Sequence, residues 1–150
     1  MRALLLVCAL SACAGAPLTP QMHERVQRAI AADLVAYPEL EGRSFSLSAL
    51  DQPAMFFQSN FTVRSVSPVT LDYALQVNLR AFALGIDDDM LRGVIGHELA
   101  HTLDYQGRTV SQLIELAPQA MFPAHHSWER FTDLVAVDRG FGPGLLRYRV

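Results

Sequence analysis

Lysine is absent from this chain: all twelve basic residues are arginine, set against fifteen Asp and Glu for a formal charge of −3. The arginines do not gather on one face. That excludes nucleic acid as a partner, since its binding needs a concentrated positive surface. Cysteine is nearly absent too, with only Cys8 and Cys13. Two thiols close to the start offer no disulfide framework, so a metal held further along must be bound by nitrogen and oxygen. Long apolar runs are also lacking. The run over residues 3–10 has eight residues, where a bilayer span takes about twenty. Repeats, low-complexity tracts and a second domain boundary are likewise not visible. What is present is 51% apolar and 18% charged residues in 150, enough to bury one core and too short for two comfortable domains. A single domain over 19–150 is therefore expected.

The first residues read as a leader. Arg2 supplies a positive start and residues 3–10 an apolar core, and Leu10-Ser11-Ala12-Cys13 then resembles the lipobox of bacterial lipoproteins. That resemblance implies a signal peptide over 1–12, lipid on Cys13 and a linker over 13–18. It also implies a place in the bacterial cell envelope, anchored to a membrane through that lipid, on the periplasmic side of the outer membrane. The alternative is an ordinary export signal cut after Ala14 or Ala16, which yields a soluble secreted or periplasmic protein. Pro17 disfavours the later cut.

Beyond the leader, Thr19-Pro20 reads as a helix cap followed by proline in the first turn. Met22, Val26, Ile30, Leu34 and Tyr37 follow at helical spacing, and Pro38 closes the pattern. Short strands are expected around residues 56–66. Strict alternation from Val69 to Ala81 predicts a strand with one buried and one wet face, and Gly85 then turns the chain. Asp87, Asp88 and Asp89 precede a helix predicted over 88–104. Three acids invite a metal-loop reading, but no following Gly and Glu complete a calcium loop. Capping and the helix dipole account for them better.

That helix is apolar over much of its circumference, so its polar residues need partners. Those residues belong to His97-Glu98-Leu99-Ala100-His101. Histidines at i and i+4 stand one turn apart on one face, and both imidazoles can converge on one tetrahedral zinc. Glu98, about 100° round the helix, cannot easily join them as a ligand but can reach a water on the metal. The bland reading, two core histidines satisfied by backbone or carboxylates, carries much less weight for so apolar a helix.

A catalytic site of this kind needs a third protein ligand. Asp104 and Gly107 rule out the metzincin continuation, and the mature chain offers no cysteine ligand. Trp128-Glu129-Arg130-Phe131-Thr132-Asp133 offers a carboxylate on a second helix, expected over 127–139. Gly107, Pro118 and Pro123 can reverse the chain before it. Glu129 and Asp133 share a face, so Glu129 can bind the metal while Asp133 fixes a histidine through its other ring nitrogen. Asp138 is the competing third ligand.

HELAH followed by Glu-x-x-x-Asp, with Gly140 seven residues on, resembles the gluzincin metallopeptidases. Nearest among them is the HtpX-like and prenyl-protein endopeptidase group. The resemblance covers roughly residues 70–142. It implies His97, His101 and Glu129 as ligands of one zinc ion, Glu98 as general base and Asp133 as hydrogen-bond partner of the first histidine. The chain departs from the group in its length, in lacking membrane-spanning helices and in having Thr132 where a small residue is usual. The implied activity is hydrolysis of peptide bonds in a peptide or protein substrate. An extended substrate could pair with the strand over 73–83. Candidate oxyanion donors are Tyr105, His125, His126, Arg139 and Tyr148. The rival reading is a non-catalytic zinc-binding envelope lipoprotein, an assembly or binding module. The expected fold is α+β and zincin-like: a small twisted sheet beside the HExxH helix, with the Glu129 helix facing it. Phe131, Leu134 and Val135 should turn to the core. Gly140 should end that helix and Gly142-Pro143-Gly144 turn the chain away.

Overall fold

One buried helix forms the centre of the molecule, and the other elements are placed on its sides. The computed structural model describes residues 17–52, 55–119 and 126–149. The leader over 1–12, Cys13 with most of the linker, and His125 lie outside the described residues, as does the side chain of His126.

The first helix, α1 (Pro20–Asp33), begins as its sequence dictates. Thr19 Oγ1 accepts the Met22 N–H at 3.2 Å, and Pro20 takes a position where no N–H is needed. Val26, Ala29 and Ile30 lie on its buried face. The helix stops at Asp33, before the expected Pro38, and two short 3-10 turns (Leu34–Ala36 and Pro38–Leu40) carry the chain onward. Tyr37 between them is fully buried and donates its hydroxyl to Gly96 O at 2.5 Å.

Three strands follow: β1 (Phe45–Ala49), β2 (Phe57–Val66) and β3 (Val69–Val77). Their order is β1-β3-β2, with β1 parallel and β2 antiparallel to β3. The expected alternation holds through Tyr73, Leu75 and Val77, all buried, and then breaks. Asn78 Oδ1 accepts the Arg80 N–H at 3.0 Å and starts a short helix, α2 (Leu79–Ala83). The apolar spacing of Leu79 and Ala81 therefore continues on a helix, because a capping side chain competes with the strand ladder. A second expectation also fails. β3 is paired along both edges and cannot accept a substrate strand, whereas β2 lies at the edge of the sheet.

The central helix is α3 (Asp88–Gln106), capped by Asp87, whose Oδ1 accepts the Met90 N–H at 2.9 Å. Residues 93–102 are buried without a break. Gly93 and Gly96 are part of the reason. A Cβ at Gly93 would overlap the backbone of Gly144 and Leu145, one at Gly144 would overlap the Asp89 carbonyl, and one at Gly96 would enter the Phe141 ring. Gly142-Pro143-Gly144 thus does not turn the chain away. It opens a helix, α6 (Gly142–Arg149), that lies backbone to backbone on α3.

Two further helices complete the described residues. For α4 (Val110–Gln119), which the sequence reading did not anticipate, Thr109 and Gln112 cap each other reciprocally. Its Leu113 and Leu116 join Tyr73 and Tyr105 in a second apolar cluster. The Glu129 helix is α5 (His126–Asp138), and Gly140, at φ +94°, follows its end as expected. Its orientation differs from expectation. Phe131 and Leu134 are exposed and Val135 is half-buried, while Thr132 and Ala136 are buried. The polar face of α5 meets the histidines of α3, which turns Phe131 and Leu134 outward, while Val135 packs on the core as expected. The fold is α+β, with a small three-stranded mixed sheet and six α-helices among the described residues.

Candidate metal centre

α3 presents His97 and His101 one turn apart, their rings 4.6 Å between centroids and nearly perpendicular. The two Nε2 atoms lie 3.0 Å apart. α5 brings Glu129 to the same point, with Oε2 3.2 Å from His97 Nε2 and Oε1 3.4 Å from His101 Nε2. Donors of a tetrahedral ion with bonds near 2.0–2.1 Å stand about 3.3 Å from one another. The His97–His101 spacing and each histidine's distance to its nearer Glu129 oxygen are close to that value, the two distances going to different oxygens, and the group could hold a metal ion.

The far side of each ring decides which nitrogen faces the cluster. Thr132 donates its hydroxyl to Trp128 O at 3.0 Å, so its oxygen is left to accept a proton from His101 Nδ1 at 3.2 Å. That places a lone pair on His101 Nε2. His97 Nδ1 lies 2.8 Å from Asp133 Oδ1, close in distance although its ring N–H is not well aimed along the line. Asp133 is held in turn by Arg149 of α6 at 2.8 Å. Two nitrogen lone pairs and a carboxylate facing one another repel unless a cation or a proton sits among them. The titration of His97 reflects this. Burial pushes its imidazole down, but Asp133, Glu129 and Glu98 outweigh burial and hold it at about 9. Burial would raise Glu129, yet His101 and His97 keep its carboxyl far below the usual range.

Glu98 is buried beside the cluster, and its charge is felt by His97. Its Oε2 accepts the backbone N–H of Ser59 on β2 at 2.6 Å. The same strand residue is clamped twice more: Tyr105 donates to Ser59 O at 3.2 Å, and the Ser59 and Thr102 hydroxyls meet at 2.8 Å. Both backbone polar groups of Ser59 are therefore taken by side chains of α3. Trp128 lies against His101 with ring centroids 4.3 Å apart, and its indole N–H donates to Asp104 at 3.0 Å.

The other candidates divide clearly. Asp138, the competing third ligand, is exposed and outside the cluster, which takes Glu129. Tyr105 spends its hydroxyl on Ser59, and burial pushes its pKa well up. Arg139 lies over the Tyr37 ring and pairs with Glu39 and Ala36 O, so it is engaged away from the histidines. Tyr148 packs edge-on to Phe56 and Phe57. Burial raises it to about 12 and the charge of Glu98 adds to the rise, so it lies within electrostatic reach of that carboxylate. His125 falls outside the described residues, as does the side chain of His126.

Sequence reasoning missed Thr132, Ser59 and Arg149 as supports. Thr132 stands three residues after Glu129 and shares its face, so helical spacing could have marked it. Ser59 and Arg149 reach the cluster only through tertiary contact. Comparison with protein-family models, with curated proteins and with solved structures returns no match for this chain.

Proposed function

We propose that this protein is a zinc-dependent endopeptidase of gluzincin type, exported and anchored to the bacterial envelope by lipid on Cys13. What supports the reading is a convergence: two imidazole nitrogens and one carboxylate within 4.8 Å of one another, with Glu98 next in sequence to His97. His97, His101 and Glu129 would hold the ion. The donor set suits zinc, being nitrogen and oxygen without thiolate, and three donors among the described residues would leave one tetrahedral position open. A structural zinc site is normally closed by four protein donors, which favours hydrolysis over a purely structural role.

Zinc in such a site supplies Lewis acidity toward a peptide carbonyl and acidifies water to a pKa of about 7. The chain supplies the rest. Glu98, held through Oε2 by Ser59 N–H, takes the water proton on its other oxygen and returns it to the leaving amine. Asp133 and Thr132 keep the proton on the outer nitrogen of each imidazole, so the inner nitrogens stay available. Tyr148, whose titration feels the charge of Glu98, is the proposed donor to the oxyanion. An extended peptide would pair along β2 past Ser59, where the strand edge is not taken by α3.

The test uses the zinc-loaded chain and its Glu98→Gln variant on a peptide library. We expect one zinc per chain, hydroxamate binding in both proteins, and cleavage only without the substitution. Cleavage that persists in the variant, or bound zinc that refuses a hydroxamate, would overturn the reading.

A further inference from the structure

We propose that the outward face of α5 is a homodimer interface, packed antiparallel against the same helix of a second copy. Phe131, Leu134 and Val137 are 57%, 67% and 51% exposed. At 100° per residue they fall on one stripe with Arg130 and Asp138, about 120° wide and centred on Leu134. Glu129, Thr132, Asp133 and Ala136 lie on the roughly opposite side. Phe131, Leu134 and Val137 are thus turned away from the fold that the polar residues of this helix join, while Trp128 and Val135 pack on it. A row of apolar side chains at helical spacing on a solvent face marks a contact surface.

The charges say what fits it. Arg130, Leu134 and Asp138 form an i, i+4, i+8 ridge with a cation at one end and an anion at the other. Among the described residues, the ion pairs made by α5 are those of Glu129 and Asp133, and no ion pair of Arg130 or Asp138 is among them. When two helices pack with their i±4 ridges side by side, the ridges run together at the contact. A second α5 running in the opposite direction then sets Arg130 beside the partner's Asp138 and Asp138 beside the partner's Arg130. Leu134 meets the partner's Leu134, and Phe131 and Val137 flank the ridge on either side, each beside its own counterpart in the partner. A parallel arrangement would oppose like charges at both ends. A lipid surface fits less well, because Asp138 would be driven against anionic headgroups. The pairing is two-fold and self-complementary, as closed dimers require, and it leaves the metal-facing side of α5 untouched.

The experiment is sedimentation velocity on the purified full chain from about 1 to 100 μM, with circular dichroism as a fold control. The wild-type chain should sediment as a dimer. Arg130→Glu alone and Asp138→Arg alone should each weaken dimerisation about tenfold or more, and the double charge swap should restore it with signs exchanged. Leu134→Asp should give monomer with zinc uptake unchanged. A wild-type chain that stays monomeric throughout overturns the proposal. So does a dimer indifferent to all four variants, or a face that binds anionic vesicles without self-association.

Discussion

α3 and α5 meet at the same cluster but are built in opposite ways. α3 is buried over residues 93–102, so every side chain on it must match a neighbour and every polar one must find a partner. α5 is fully buried only at Thr132 and Ala136; Trp128 and Val135 are half-buried, while Phe131, Leu134 and Val137 stand in solvent. In α3 the polar residues are anomalies in an apolar helix, and an anomaly is legible in a sequence. In α5 the inward residues look like ordinary surface and the outward ones look like core, so hydrophobic periodicity points the wrong way round. The general point is that periodicity finds the face of a helix that seeks apolar contact. It does not find the face that carries polar side chains inward.

Substitutions can break that comparison or sharpen it. The largest effect belongs to α3: His101→Ala should abolish stoichiometric zinc binding, read by metal analysis after dialysis, and all peptidase activity with it. Glu98→Gln should keep zinc and lower kcat by roughly 10³-fold or more, measured on the best library peptide. Towards the start of α3, one to two turns before His97, Gly144→Ala should destabilise the fold by about 3 kcal/mol, a fall of roughly 6–12 °C in Tm, because its methyl would overlap the Asp89 carbonyl. Inner-face changes on α5 should be graded. Thr132→Val, which removes the partner of His101 Nδ1 at constant shape, should weaken zinc affinity about 10-fold to 100-fold by competition with a chelator. If Thr132→Val instead matched His101→Ala, α5 would be as intolerant as α3 and the contrast would fail.

A pH titration supplies the mildest test. His97 rises from the ordinary 6.5 to about 9 in the folded chain, so the folded state holds its proton more tightly than the unfolded state. With metal removed, that contribution to stability is fully present below about 6.5 and is lost as pH rises through about 9. The Tm of the chelator-treated protein should therefore fall across this window, and His97→Gln should flatten the fall. Zinc must displace the same proton, so apparent zinc affinity should weaken as pH drops below about 9.

Much of the site could be read before any fold was known. His97, Glu98 and His101 stand at a spacing that only a helix turns into a converging pair, and Glu129 and Asp133 stand at the same spacing. The caps at Thr19 and Asp87 and the strand alternation to Val77 were equally legible, since each depends on residues a few positions apart. Tertiary structure alone decided the rest. It placed Ser59 against Glu98 and Arg149 against Asp133, and it left β2 rather than β3 at the sheet edge. It made Gly144 a contact point instead of a turn, and it chose which face of α5 looks inward. Local sequence encodes backbone conformation through short-range hydrogen bonds and side-chain spacing. Contacts between residues 16 to 60 positions apart arise only when packing selects one arrangement among many that the same local preferences allow.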